Sequence, residues 1–328
     1  QIMKTTVPLE TGEGSITTNI GAVRNTGIEL GLNLSVIRNK NFTWDVNLAF
    51  ARNWSKITEL PNGDDVSSNW FIGERLNVLR DYTSAGIITT DGITMRTKDG
   101  SRHYTLQEVY DTFGPGGQGL KWYEGQMAVN DWNNDGKIDD EDKQIFGCTD
   151  PKWTGSLSST MTYKGFDFSF MLYTKQGQWS RSYFHEQYMN YGDRGRQKVN
   201  FDYYIPAGTP VLDKNTGDVT YLSEAHIGKY PYPNNTEKTG GGYFSSSSAA
   251  VRYHKTSFVK VKNITLGYTF PKAWLSKIAV KHLRLYVNVI NPFCFTDYEG
   301  FDPEWASANL TNGGPASVTY QIGANIKF

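Results

Sequence analysis

Two adjacent stretches, "GIELGLNLSVI" (27–37) and "FTWDVNLAF" (42–50), restrict this chain more than anything else in it. In the first, Ile28, Leu30, Leu32, Leu34 and Val36 share one face, and Glu29, Gly31, Asn33 and Ser35 share the other. In the second, Phe42, Trp44, Val46, Leu48 and Phe50 alternate with Thr43, Asp45, Asn47 and Ala49. A period of two is the side-chain period of a β-strand, and the short polar link between the runs predicts a tight hairpin. The pattern recurs. Leu157, Met161 and Tyr163 lead through Lys164–Gly165 into Phe166, Phe168, Phe170 and Leu172. A third pair joins "FVKVKNITLGYTF" to "LRLYVNVI"; Val259 and Val261 are out of phase with Ile264, Leu266, Tyr268 and Phe270, so a bulge is expected near Lys262–Asn263. The connection of this pair has room for one helical turn around Trp274–Ile278. The chain closes on "SVTYQIGANIKF", with Val318, Tyr320, Ile322, Ala324, Ile326 and Phe328 on one face.

The connections between these seven predicted strands alternate without exception. Short links join one to two, three to four and five to six. The others are long, roughly 95, 75 and 20 residues, as when a transmembrane β-barrel has short turns on one side and long loops on the other. One apolar face per strand suits lipid, and the polar face suits a lumen. A soluble β-sandwich with one buried face predicts the same alternation. The one-sided loop lengths and the bulky aromatics at strand ends (Phe42, Trp44, Tyr163, Phe270, Phe328) favour the barrel. Composition agrees with β structure: aromatics make up 14% of residues, and Gly is common at 33. Lys plus Arg and Asp plus Glu are each 33, and this balance argues against a nucleic-acid binder. No apolar run approaches the ~20 residues of a membrane-spanning helix. Cys148 and Cys294 have neither a disulfide framework nor a zinc spacing, and a bridge between them would need an oxidising compartment.

Seven strands do not close such a barrel, which in single-chain bacterial cases has an even number. Counted back from a periplasmic C-terminus, the strand beginning near Gly27 runs inward from outside. The chain is therefore expected to be the C-terminal part of a larger barrel, starting within an external loop. One long loop is expected at 56–153, a second at 179–253, and the closing strand at 317–328.

Several phrases together resemble the SusC-like (SusC/RagA) TonB-dependent transporters of the Bacteroidetes outer membrane. They are "VPLETGEGSITTNIGAVRNTGIELGLN", "DWNNDGKIDDEDKQIFGCTDPKWTGSLSSTMTYKGFDFSFMLYTKQG", "FVKVKNITLGYTFP", "LRLYVNVINPFCFTDYEGFDPE" and the terminal strand. The insert at about 201–248 carries no phrase of this family. The resemblance implies an all-β, transmembrane antiparallel barrel of roughly 22 strands with a plug, in which the plug and the segment that contacts TonB precede this chain. It also implies a SusD-like surface lipoprotein lid, a glycan or oligopeptide substrate, import driven through the TonB complex, and no enzymatic activity. The alternative from another class is a soluble or surface-attached, calcium-stabilised glycan-binding module.

The stretch "DWNNDGKIDDED" (131–142) has the ligand spacing of an EF-hand loop. Asp131, Asn133, Asp135, the backbone carbonyl of Lys137, Asp139 and Asp142 fall at ligand positions, and Gly136 falls at the turn. Ca²⁺ seeks six to eight oxygens, so a structural Ca²⁺ is expected here; Asp142 stands where Glu is usual. The plain alternative is a solvated acidic turn. Trp70, Trp122, Tyr123, Trp179, Tyr183 and Tyr188 are candidates for contact with substrate or partner, against self-packing of the loops. The glycines of "GPGGQG" lack the Lys-Ser/Thr of a phosphate loop. "RSYFHEQYMNYGDRGRQK" mixes basic and aromatic residues, but charge neutrality favours a partner-facing surface over nucleic acid. The aromatic-ended last strand is expected to act as an assembly signal through Phe328.

Overall fold

The computed structural model describes residues 3–6, 15–18, 21–114, 120, 123–188, 202–213, 215–232, 252–276, 279–307 and 316–328. Its largest element is a seven-stranded antiparallel sheet in which every strand pairs with its sequence neighbour among the seven. The strands are β1 (Ala22–Arg38), β2 (Phe42–Glu59), β3 (Trp153–Tyr163), β4 (Phe166–Gln176), β5 (Phe258–Thr269), β6 (His282–Phe295) and β7 (Thr319–Lys327). The first hairpin is longer than its apolar alternation suggests, since β1 begins before Gly27 and β2 runs on to Glu59.

Turn chemistry fixes the register. The Asn39 side-chain oxygen accepts the amides of Asn41 and Phe42 at 3.0 and 2.8 Å, closing the first hairpin. Lys164 and Gly165 both have positive φ (47° and 89°), as a two-residue type I′ turn requires. The ladder of β5 and β6 shifts between Val261 and Asn263, the expected bulge. It brings Val261 onto the same outer face as Ile264. The helical turn after β5 is Lys272–Leu275.

The outer face reads in rows across the sheet. One row is Leu34, Val46, Ser159, Phe170, Ile264, Val289 and Tyr320. Ile28, Leu30, Leu285, Val287 and Ile322 stand openly on this face, between 45% and 87% exposed. In water such a surface would be a severe liability, but in a bilayer it is what the solvent requires. Two polar groups on it satisfy each other: Trp44 Nε1 donates to Ser159 Oγ at 2.9 Å. Aromatics bound the band. Phe42, Tyr163, Phe166 and Tyr268 line the short-turn rim, and Phe50, Trp153 and Phe295 line the other. From Phe42 to Phe50 is ~26 Å along the strand at ~3.3 Å per residue, or ~20 Å once tilted, close to the apolar height of such barrels.

The inner face is polar and cross-linked. Asn47 donates to Ser158, Thr265 to Asn288, and Asn288 to Gln321. Arg284 Nε reaches Asp167 at 2.9 Å, past Gly267 on the strand between them. A Cβ at position 267 would lie 2.5 Å from the guanidinium and 2.6 Å from the carboxylate, so only glycine leaves room for the pair. No helix among the described residues is long and apolar enough to cross a membrane.

All three long connections (60–152, 177–257 and 296–318) leave from one rim. The first is a folded unit. Ile88, Ile93, Met95, Tyr104, Val109, Phe113, Tyr123 and Ala128 form its core. That core packs the hairpin Ile93–Thr97/Gly100–Tyr104 against α1 (Leu106–Phe113). Thr105 and Glu108 make a reciprocal capping box at the start of α1. Tyr204 and Tyr230 of the second connection pack on Ile87 and Met127 of the first. The third is pinned by charge: Lys260 Nζ, on β5, lies 2.8 Å from both oxygens of Asp302 and 2.6 Å from Glu304, with Lys260 and Asp302 almost wholly buried.

Candidate functional site

The candidate site lies among the loops above the long-loop rim and has three parts. The first is the acidic loop. Its backbone follows the EF-hand pattern: Gly136 has φ +81°, and Asp131 accepts the amides of Asp135 and Gly136 at 3.2 and 3.0 Å. Asp131 also receives the hydroxyl of buried Tyr104 at 3.2 Å. That proton donation costs the phenol: burial, then the neighbouring carboxylate, push the Tyr104 pKa up to about 12. Asp142 is fully buried. Its Oδ1 accepts Trp132 N (2.6 Å) and Asn133 N (3.3 Å), and its Oδ2 accepts Asp139 N (2.9 Å). Asp142 thus closes the loop by gathering amides from both ends.

Asn133 accepts Asp135 N, Asp135 accepts Lys137 N, and Asp139 accepts Glu141 N. Among the described residues no group of three or more His, Cys, Asp or Glu side chains converges as a metal cage. The all-oxygen donors still suit a hard cation, because a carboxylate oxygen that accepts one amide keeps a second lone pair.

The second part is a cavity of about 450 Å³ between the first two long connections. Its walls include Tyr82, Phe146, Trp179, Tyr230, Tyr253 and His254. Phe146 meets Trp179 and Tyr253 edgewise or tilted, with centroids 5.5 and 5.3 Å apart. Gly147 makes room for this packing, since a Cβ there would lie 2.7 Å from the Trp179 ring. Arg96 and Lys229 bring positive charge to the same walls. Such rings can stack on a sugar face or hold an aromatic side chain.

Behind the cavity runs the third part, a polar chain buried at Ser182, His185, Tyr230 and Tyr298. Ser182 Oγ lies 2.6 Å from both His185 Nδ1 and Tyr298 OH; His185 Nε2 lies 3.3 Å from Tyr230 OH, which donates to Glu299. Lys229 holds Glu299 at 2.8 Å, and His254 stacks on His185 with centroids 3.6 Å apart. Ser182 and His185 resemble a nucleophile and its base, but both are fully buried, so the pair ties the second long connection to the third instead of meeting a substrate.

Burial, then the nearby His254 and Lys229, hold the His185 pKa down to about 2. A folded-state value below the ordinary ~6.5 means that this packing contributes fully above pH ~6.5 and weakens as pH falls, by up to ~1.4 kcal/mol per unit. Hydrogen exchange around 182–185, corrected for intrinsic rate, is therefore expected to rise from pH 7 to pH 5. An exchange profile flat across that range would contradict the assignment.

The contact candidates divide. Trp179 lines the cavity, and Tyr183 and Trp70 are partly exposed. Tyr123 is fully buried in the first connection's core and serves packing. Trp122, the side chain of Tyr188 and the glycines at 116, 117 and 119 lie outside the described residues, and Phe328 stands exposed just past β7. Cys148 and Cys294 are free thiols. Sequence reasoning missed Arg96, Lys229, Tyr230, Tyr253 and His254, because segments far apart in the chain bring them together. It also missed α1, although "TLQE" (105–108) is a capping-box signature.

No protein-family model matches the chain. Among curated proteins it is 29% identical to the TonB-dependent receptor SusC of Bacteroides thetaiotaomicron, over 98% of this chain and 28% of that protein. It is 28% identical to the TonB-dependent receptor P39 of Formosa agariphila, over 98% of this chain and 32% of that protein. The chain is SusC-like. Among solved structures it superposes over its full length on 32% of a chain of the RagAB peptide transporter, with a TM-score of 0.62 at 18% identity. That likeness shows the fold: the seven antiparallel strands have the arrangement of a segment of a transmembrane β-barrel wall. The SusC-like chain spans about a third of the length of the relatives it matches.

Proposed function

We propose that this SusC-like chain supplies the C-terminal barrel strands of an outer-membrane TonB-dependent importer for an oligosaccharide or oligopeptide. The observation that carries the reading is the sheet itself. Seven strands in sequence order expose an apolar band between two aromatic rims, and every long connection rises from one rim. The rest of the barrel and a plug pair with β1 and β7 and fill the lumen, TonB acts through the preceding part, and the long connections face outward beneath a SusD-like lipoprotein. Homology to receptors named for TonB dependence, and not for an enzyme, supports transport.

The test uses the full-length receptor. Detergent-dependent extraction and heat-modifiable migration are expected, with loss of uptake on deletion and co-purification of a lipoprotein. Recovery of the intact protein in the soluble fraction would favour the calcium-stabilised binding module instead.

Calcium belongs to the same proposal, as a structural clip held by Asp131, Asn133, Asp135, the Lys137 carbonyl, Asp139 and one oxygen of Asp142. The first connection has its own apolar core, so the effect of the metal is local. Chelation is expected to open 131–142 to protease while the Ile93–Tyr104 hairpin stays protected. Cleavage maps by mass spectrometry, with and without chelator, check this, and an unchanged map at 131–142 would remove calcium from the account.

A further inference from the structure

Three cations stand on the outer face immediately beyond the apolar band. On β1, Arg24 has the parity of Ile28, Leu30, Leu32 and Leu34; on β2, Arg52 and Lys56 have the parity of Val46, Leu48 and Phe50. Successive even positions on a strand share a face, so these side chains leave the wall on the side that meets lipid. The register sets them in a block: Leu30 pairs with Phe50, Ile28 with Arg52, Thr26 with Trp54 and Arg24 with Lys56. Polarity therefore switches within one residue pair, from the aromatic rim to positive charge. Arg24, Arg52 and Lys56 are exposed, and none makes an ion pair with another described residue.

The block is shaped as well as charged. The Arg52 guanidinium lies over the Trp54 ring, 4.6 Å from its centroid, which orients its donors. Arg24, Trp54, Lys56, Glu74 and Arg75 line a cleft of about 470 Å³. Glu74 is the one carboxylate at its wall among the described residues, and Arg75 directs Nη1 at the Asp150 carbonyl, 3.4 Å away. Unpaired cations seldom gather without a counter-ion, and an anion bound here would relieve their mutual repulsion. The position names its source. Acyl chains would lie along Ile28, Leu30 and Phe50 while the head group meets the cations one step higher, at the level where basic residues attract anionic lipid.

We propose that Arg24, Arg52 and Lys56 form a binding site for the phosphate head group of an anionic lipid in the leaflet at the long-loop rim. The inference rests on the reading of this face as lipid-facing, and the two are tested by different readouts.

The experiment is native mass spectrometry of the full-length receptor in detergent, titrated with phosphatidic acid, phosphatidylcholine and inorganic phosphate. Phosphatidic acid is expected to be retained and phosphatidylcholine not. Arg24→Gln/Arg52→Gln/Lys56→Gln is expected to weaken phosphatidic acid binding by ~100-fold, at roughly fivefold per cation. Arg24→Lys/Arg52→Lys, which keeps the charge, should retain binding. Heat-modifiable migration of each variant reports the barrel separately, so a folded barrel that binds nothing sinks the lipid site and leaves the membrane reading standing. Equal retention by the triple variant overturns the proposal, as does displacement of the lipid by millimolar inorganic phosphate, which would make this a soluble-anion site.

Discussion

Lys260→Met is expected to release the third long connection from the barrel mouth and to cost roughly 3–5 kcal/mol, because it strands a buried carboxylate. Lys260 is 3% exposed and Asp302 6%, and both Asp302 oxygens are 2.8 Å from the ammonium. Glu304 keeps a second partner in Lys262 at 2.7 Å, so the loss falls on Asp302. What remains to Asp302 is the Glu304 amide at 2.9 Å, too little to hold an ionised carboxylate away from water. The strands should survive, since β5 keeps its ladders with β4 and β6. The readout is protease cleavage within 296–318 of the membrane-embedded receptor, rapid in the variant and slow in the parent. A second variant separates charge from packing: Lys260→Met/Asp302→Leu should recover much of the protection, as a pair removed together leaves nothing unpaired. Cleavage as slow in Lys260→Met as in the parent would show that the connection is held by other means.

The same reasoning predicts where little will happen. Lys229 and Glu299 are also 2.8 Å apart, but their side chains are 56% and 39% exposed. An exposed pair contributes between nothing and about 1 kcal/mol. Still, releasing the third connection would disturb the cavity. Tyr298 and Glu299 sit on it and hold Ser182, Tyr230 and Lys229 in place. The barrel-mouth pair thus acts on the cavity through the Tyr298–Ser182–His185–Tyr230 chain.

The barrel strands were legible because their constraint is local: a lipid-facing strand must alternate at every step, so Leu30, Leu32 and Leu34 announce their own face. The bulge at Lys262–Asn263 showed for the same reason, as a break in phase. The loops were not legible in this way. The core of the first connection draws Ile88, Met95, Tyr104, Phe113 and Tyr123 from short pieces, none long enough to show a period. In sequence Tyr123 therefore stands as a contact candidate beside the packing alternative, and its burial in this core assigns it to packing. The acidic loop lay between these cases. Its ligand spacing is plain in the sequence, but the capture of amides from both loop ends by Asp142 depends on side-chain geometry that spacing does not carry.

Gly92→Ala is expected to unfold the core of the first long connection whether or not calcium is present. Gly92 has φ +103°, a conformation that side-chain-bearing residues rarely adopt. A Cβ there would also lie 1.9 Å from the Tyr104 carbonyl oxygen and 2.7 Å from Thr105 Cα. Both obstacles are backbone, so no side chain can swing aside. Thr89 and Gly92 exchange backbone hydrogen bonds at 3.0 Å, and the hairpin that starts at Ile93 pairs directly with Tyr104. Relieving the clash must therefore separate the two strands that bury Ile93, Met95 and Tyr104. Backbone strain of ~1–3 kcal/mol together with lost packing of several kcal/mol exceeds what one small folded connection can absorb. Hydrogen exchange across 88–128 in the full-length receptor is the measurement. Protection should collapse through that segment, while the β2 and β3 amides, held in a separate ladder, keep theirs. Chelation is expected to give the complementary pattern, with 131–142 opened and 88–128 intact. If added calcium restored full protection to Gly92→Ala, the metal and not the apolar core would be organising this connection.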